Sequence, residues 1–375
     1  MGSRYNLILQ HAETGNGVRD VHISGGLIVE NAENARVIDA SGLRVLPSFV
    51  DLHTHLRFPG FEQKEDLLSG CRAAVRGGYT AVNAMANTRP VCSDAEMALQ
   101  IAESAAKLEL CDVYQTVSAT CGFDGKTTEH LDVLSDTKYT NSIRAVSDDG
   151  YGVKDAEAFR MSMKKAQKYG KALMIHAEEE DRETLRDLEI IEREGGKAHF
   201  CHVSTEVSAR AIIEAKKRGI DVTWEVTPHH IALNDTVTFK VNPPLRPESD
   251  RLFLLQCARA GLPDAIATDH APHTSEDKLN GSPGLVGLES AFSICNGFLD
   301  IETLRKLLCD GPRKILGLPE VRVEVGYPAD LVLVDLHKER RICAEEFFSK
   351  GRNTPFDGMT TRGDVIYTIK KGKII

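Results

Sequence analysis

The chain has 375 residues, of which 42% are hydrophobic and 27% charged. That is ordinary globular usage for one large domain or two, and it excludes fibrous, disordered and disulfide-stapled classes. No apolar run approaches the roughly 18 residues of a membrane span. With 46 Lys and Arg against 55 Asp and Glu, the net charge of −9 repels a polyanion, so neither nucleic acid nor a membrane is an expected partner.

The first ten residues, MGSRYNLILQ, lack the basic-then-apolar pattern of a signal peptide. Nine cysteines, an odd number without a C-x-x-C pair, sit mostly in apolar runs, where a reduced thiol behaves as a small hydrophobe. Both features predict a reducing, cytoplasmic setting. From Tyr5 to Leu46 the chain reads as short strands: YNLIL, then VHISGGLIVE with a turn at Gly25-Gly26, then RVIDA and LRVL. The same style returns after Val321 in VEVGYPADLVLVDL and VIYTIKKGKII. The two ends, 1–46 and 320–375, are therefore expected to form one small β-sandwich domain.

Residues 47–319 alternate. Strand-length apolar runs (SFVDLHTH, TAVNAMAN, DVYQTVSAT, SIRAVSDD, ALMIHAE, AHFCHVS, DVTWEVTP, AIATDHAP) are separated by segments of helical spacing such as KEDLLSGCRAAVRGG, DAEMALQIAESAAKLE, AEAFRMSMKKAQKYG and TEVSARAIIEAKKRG. Eight such units predict an α/β fold, a (β/α)8 TIM-like barrel, over the alternative of an open doubly wound sheet. In a barrel the chemistry gathers at the C-terminal strand ends.

Those ends read His53-x-His55, Asn87, Asp148-Asp149, His176, His202 and Asp269. Residues i and i+2 of a strand face the same way, so His53 and His55 can share an ion. His176 and His202 each close an apolar run where an unliganded imidazole is costly to bury. His11, His22, His130 and His337 read as surface or packing residues. Four histidines and two carboxylates exceed the needs of one tetrahedral ion. The expectation is two ions sharing a fourth-strand carboxylate, with His53, His55 and Asp269 on one and His176 and His202 on the other. Between two divalent ions a bridging water becomes hydroxide near neutral pH, and Asp269 can accept its proton. The site keeps a net positive charge and attracts a small anion.

The blocks PSFVDLHTHLRFPG, MANTRP, SDDGYGV, IHAEE, CHVST, EVTPHH, VNPPLR, ATDHAPHT and GLVGLES together resemble the class I dihydroorotases of the amidohydrolase superfamily. The resemblance covers nearly the whole chain. It implies reversible, metal-dependent ring closure of N-carbamoyl-L-aspartate to L-dihydroorotate in pyrimidine synthesis, with one or two Zn2+ per chain. The family's metal positions fall on His53, His55, Asp149, His176, His202 and Asp269, and Asp269 is also the implied catalytic proton carrier. Its substrate contacts fall on Arg57, Asn87, Asn242 and His273. Arg57, assisted by Asn87, suits a ring carboxylate, and Asn242 a ring amide. A homodimer and an aspartate transcarbamoylase partner are the associations considered.

The chain departs from the family pattern at Phe58, where a Glu is usual, and at Pro47-Ser48, where Pro-Gly is usual. Only 25 residues separate His176 from His202, a short interval for the family. The fourth strand offers Asp149 where many amidohydrolases carry a carboxylated Lys. Competing readings are an allantoinase- or hydantoinase-like hydrolase, expected to have that Lys; a deaminase, for which Glu178 gives some footing; and a non-catalytic scaffold for aspartate transcarbamoylase, expected to have lost ligands.

Overall fold

The computed structural model describes residues 6–375; Met1 to Tyr5, the start of the first predicted strand and of the terminal domain, lie outside the described residues. Five strands come first: β1 (Asn6–Thr14), β2 (Gly17–Ser24), β3 (Leu27–Val29), β4 (Arg36–Asp39) and β5 (Arg44–Pro47). Three close the chain: β14 (Leu331–Arg341), β15 (Thr360–Lys370) and β16 (Lys373–Ile374). These eight form a single hydrogen-bonded sheet in the order β16-β15-β14-β5-β1-β2-β3, with β4 branching off β1. Leu7, Leu9, Val21, Ile23, Val45, Leu331, Leu333 and Ile369 fill its own apolar core. This is the second domain built from both chain ends.

Two glycine turns meet where the ends join. Gly25 and Gly26 turn β2 into β3 at φ +61° and +84°, and Gly372 turns β15 into β16 at φ +77°. A Cβ on Gly372 would lie 2.9 Å from the Ile23 side chain and 3.3 Å from Gly26 Cα. Only glycine tolerates both that backbone and that approach.

Between them lie β6 (Phe49–Thr54), β7 (Tyr79–Ala84), β8 (Asp112–Gln115), β9 (Ala145–Val146), β10 (Ala172–Ile175), β11 (Lys197–Phe200), β12 (Asp221–Val226) and β13 (Ala265–Ile266). One falls in each of the eight apolar runs. β6-β7-β8 and β9 to β13 pair in parallel, in chain order. Parallel bridges Val117–Val146 and Thr54–His270 close the ring, which excludes the open sheet. Val50, Leu52, Ala81, Met85, Ala145, Met174, Cys201, Ala265 and Ala267 fill its interior.

Helices α1 (Leu67–Arg76), α2 (Ala95–Ala106), α3 (Ala156–Lys168), α4 (Glu180–Glu194) and α5 (Glu206–Lys217) cover the outside. Four of them occupy the segments of predicted helical spacing. Their starts are fixed by Asp66, Asp94, Asp155 and Thr205, whose side chains accept first-turn backbone N–H groups. The crossover from β8 to β9 departs from the pattern. It holds short 3-10 turns at Glu129–Ser135 and Thr137–Tyr139, because Asp124 and Asp136 accept nearby backbone N–H groups and favour turns over a continuous helix. Ser48, at the Pro47-Ser48 departure, bonds Thr80 Oγ1 at 2.5 Å and Arg313 Nη2 at 2.8 Å, well below the strand ends that carry the site.

Candidate metal centre

Alternation along β6 places Val50 and Leu52 in the interior and calls for Thr54 next. The pairing of β6 with β7 slips between Asp51 and Thr54, and both His53 and His55 turn into the barrel mouth instead. A bulge re-aims the side chains beyond it. Two more site residues are re-aimed by left-handed backbone, His202 at φ +34° and Asp269 at φ +48°; Arg57 lies at φ +58°. Such conformations cost about 1 kcal/mol or more each and persist where surrounding structure enforces them.

The six predicted ligands converge. His53, Asp149, His176 and His202 each place one ligand atom within 4.8 Å of the others, and so do His53, His55 and Asp269. His53 therefore belongs to both sets. Asp149 stands between them, with Oδ1 3.2 Å from His176 Nε2 and Oδ2 3.4 Å from His55 Nε2. The neighbouring Asp148 turns away to accept from Thr120 N at 2.9 Å and from the Thr120 hydroxyl, which separates the two adjacent aspartates. In a third set, His53, Cys201 and Glu225 also place one ligand atom each within 4.8 Å of the others.

Burial works against charge here, and the carboxylates decide which groups keep it. Burial pushes His176 down to about 4 and His202 down to about 3, so both are neutral and their lone pairs are free. Burial would also lower His53, but Asp269, Asp149 and Glu225 outweigh it and hold its pKa well above the ordinary imidazole value. Burial would raise Asp149 and Asp269; the surrounding histidines outweigh it and keep both below the usual carboxylate range. Both nitrogens of His53 and Nε2 of His176 are buried with no hydrogen-bond partner among the described residues. Orphaned imidazole nitrogens beside ionised carboxylates fit a divalent cation.

Asn87 lies within the site, with its amide occupied by His55 and Asp149, two of the candidate ligands. Its Oδ1 is 2.9 Å from His55 Nδ1 and its Nδ2 donates to Asp149 Oδ2 at 2.9 Å. Arg57 Nη2 lies 3.3 Å from His273 Nε2, and burial together with that guanidinium pushes His273 down to about 3. His273 is thus a neutral acceptor. Among the described residues Arg57 makes no ion pair, so its charge is left for a ligand. Asn242 is exposed, next to Pro243, whose carbonyl is 3.1 Å from His230 Nε2. His130 packs through Nε2 on Ser118 O, while His11 and His337 are exposed.

The strand-end reading passed over the seventh strand. Glu225, fully buried on β12, lies 3.4 Å from His53 Nδ1 and 3.0 Å from His199 Nε2, and its Oε1 accepts from His202 N at 3.2 Å. Burial would raise it, but His199 and His53 hold it ionised. It backs the imidazole of His53 and the backbone of His202, two of the candidate ligands, in the way carboxylates commonly hold metal-site residues. A lone Glu inside the apolar run TWEV was the available clue.

The amidohydrolase family model matches residues 44–375. The chain belongs to the amidohydrolase family. A dihydroorotase of Clostridium botulinum is 42% identical over 379 residues, covering 95% of this chain and 94% of that protein. One from Bacillus subtilis is 36% identical, covering 95% and 93%. Among solved structures, the dihydropyrimidinase of Brevibacillus agri superposes with TM-score 0.86 at 21% identity, covering 100% of this chain and 95% of that one. The L-hydantoinase of Arthrobacter aurescens gives TM-score 0.86 at 21% identity, covering 99% and 96%. At those identities the two structures establish the fold of this amidohydrolase and nothing finer. No helix among its described residues is long and apolar enough to cross a membrane.

Proposed function

We propose that this amidohydrolase is a dihydroorotase, interconverting N-carbamoyl-L-aspartate and L-dihydroorotate, with one or two Zn2+ held by His53, His55, Asp149, His176, His202 and Asp269. The observation that carries the choice of substrate is sequence identity of 36–42% to dihydroorotases across nearly the whole chain. The hydantoinase likeness is one of fold. Convergence of all six ligand side chains argues against a scaffold without activity.

A divalent metal in this site supplies Lewis-acid polarisation of the ring carbonyl and a more acidic water. The protein's own groups do the rest. Asp269, kept ionised by His53 and His55, is the base that takes a proton from the attacking water and delivers it to the departing ring nitrogen. Arg57, with neutral His273 behind it, grips the substrate carboxylate. Asn242 pairs with the ring amide. Asn87 serves through His55 and Asp149, which it joins.

The test is steady-state turnover of dihydroorotate, hydantoin and allantoin by zinc-loaded protein. Dihydroorotate should be preferred by about one to two decades in kcat/KM, since a ring without its carboxylate forfeits a charge-assisted contact. Comparable turnover of hydantoin would replace this reading with the hydantoinase one.

A further inference from the structure

Segment 241–246 is an irregular strap, bent at Asn242 and Pro243, with alternating burial. Val241 and Leu245 pack with Leu285, whereas Asn242 and Pro244 are exposed. Packing therefore holds the strap down without orienting Asn242.

Orientation comes from two polar clamps. At one end the buried imidazole of His230 bonds Pro243 O at 3.1 Å, with its other nitrogen 2.8 Å from Thr227 Oγ1. At the other end Arg246 donates from Nε to Ser204 Oγ at 2.9 Å and from Nη2 to Glu180 Oε2 at 3.2 Å. Glu180 opens α4, four residues after His176, and Ser204 follows His202 by two. Glu180 Oε1 also accepts from Ser204 N at 2.7 Å and Thr205 N at 3.0 Å. One carboxylate thus ties the loop after β10, the loop after β11 and the strap together.

We propose that Arg246 is a positioning residue for substrate binding: clamped between Glu180 and Ser204, it fixes Asn242 relative to the loops that carry His176 and His202. Removing Arg246 takes away the ion-pair partner of buried Glu180 but leaves it the bonds it accepts from Ser204 and Thr205, so part of the cost is offset locally. What is lost is the register of the strap. The inference rests on the dihydroorotase reading, because Asn242 is assigned to the ring amide there.

The experiment compares wild type, Arg246→Ala, Asn242→Ala and the double variant. Arg246→Ala should raise KM for dihydroorotate about tenfold, leave kcat within about threefold, and keep the metal content of wild type. Amide hydrogen exchange over residues 238–247 should quicken while the barrel strands stay protected. In the Asn242→Ala background Arg246→Ala should raise KM no further, since both act through one contact. Additive effects, an unchanged KM, or unchanged exchange would overturn the proposal. Arg246→Lys keeps the charge without the fork and carries the same test if the alanine variant does not fold. Absence of dihydroorotate turnover in wild type would overturn the functional reading alone, and the exchange result would still decide whether Arg246 pins the strap.

Discussion

His55 Nδ1 lies 2.9 Å from the side-chain oxygen of Asn87, whose amide nitrogen donates to Asp149 Oδ2, also at 2.9 Å. Because that nitrogen is the donor toward Asp149, the oxygen must accept from His55, which puts a proton on Nδ1 and leaves Nε2, 3.2 Å from Asp269 Oδ1, as the atom that faces the candidate metal site. One amide therefore sets the tautomer of one ligand and the rotamer of another.

Removing that amide should loosen metal binding more than substrate binding. Asn87→Ala is expected to weaken zinc affinity about tenfold to a hundredfold in chelator competition, with kcat/KM restored by excess zinc. A variant with wild-type zinc affinity and a raised KM would return Asn87 to the role of carboxylate contact.

His53 contributes to both ligand sets and His55 to one. Elemental analysis of His53→Ala should thus find little bound transition metal, whereas His55→Ala should keep the ion held with Asp149, His176 and His202. Equal metal content in the two variants would contradict the shared position of His53.

Arg57 has a neutral histidine beside it and no carboxylate partner among the described residues. Arg57→Ala should lower kcat/KM for dihydroorotate by one to two decades, about 1.5 to 3 kcal/mol, and spare dihydrouracil, which lacks the carboxylate. Equal losses on the two rings would remove Arg57 from this role.

Asp269 starts ionised, because His53 and His55 outweigh the effect of its burial. Hydrolysis needs that form; ring closure, its reverse, needs the protonated one. Ring opening also converts a monoanion to a dianion and releases a proton. Hydrolysis should rise and synthesis fall between about pH 5.5 and 9.5, following one apparent pKa of the coupled site. Asp269→Asn should abolish both directions by several decades; retention of more than about a tenth of wild-type activity with metal bound would show that another group moves the proton.

Asp187, buried on α4 beside Arg186 at 2.7 Å, is pushed up to about 7 by burial. Its folded pKa exceeds the unfolded value of 3.8, so the folded state binds the extra proton and stability is lost as pH rises toward 7. Between pH 5 and 8 wild type should lose on the order of 2 kcal/mol relative to Asp187→Asn, as read from paired denaturant titrations. Parallel pH profiles for the two proteins would show that Arg186 already neutralises the cost.

The eight apolar runs, the helical segments between them and the strands at both ends were legible because burial on both faces of a parallel strand, or on one stripe of a helix, leaves a periodic mark in the sequence. Five of the six candidate ligands were legible for a related reason, since each ends an apolar run where an ionisable side chain has no place without a partner; at the fourth strand the run left Asp148 and Asp149 open, and Asp149 was named by the family resemblance. Three things were not legible, because they depend on how segments distant in the chain meet. The slip in β6 that turns His53 and His55 inward depends on pairing with β7, and the left-handed turns at His202 and Asp269 leave no periodic mark. Asn87 reads as a substrate contact beside Arg57, and its place between His55 and Asp149 comes only with the fold. Glu225 and Arg246 gain their meaning from partners that only closure of the barrel supplies: His53 and His199 for one, Glu180 and Ser204 for the other. Periodicity records which face of an element is dry; a hydrogen bond between distant residues is decided by where tertiary packing brings their atoms, and a single sequence carries no local trace of that.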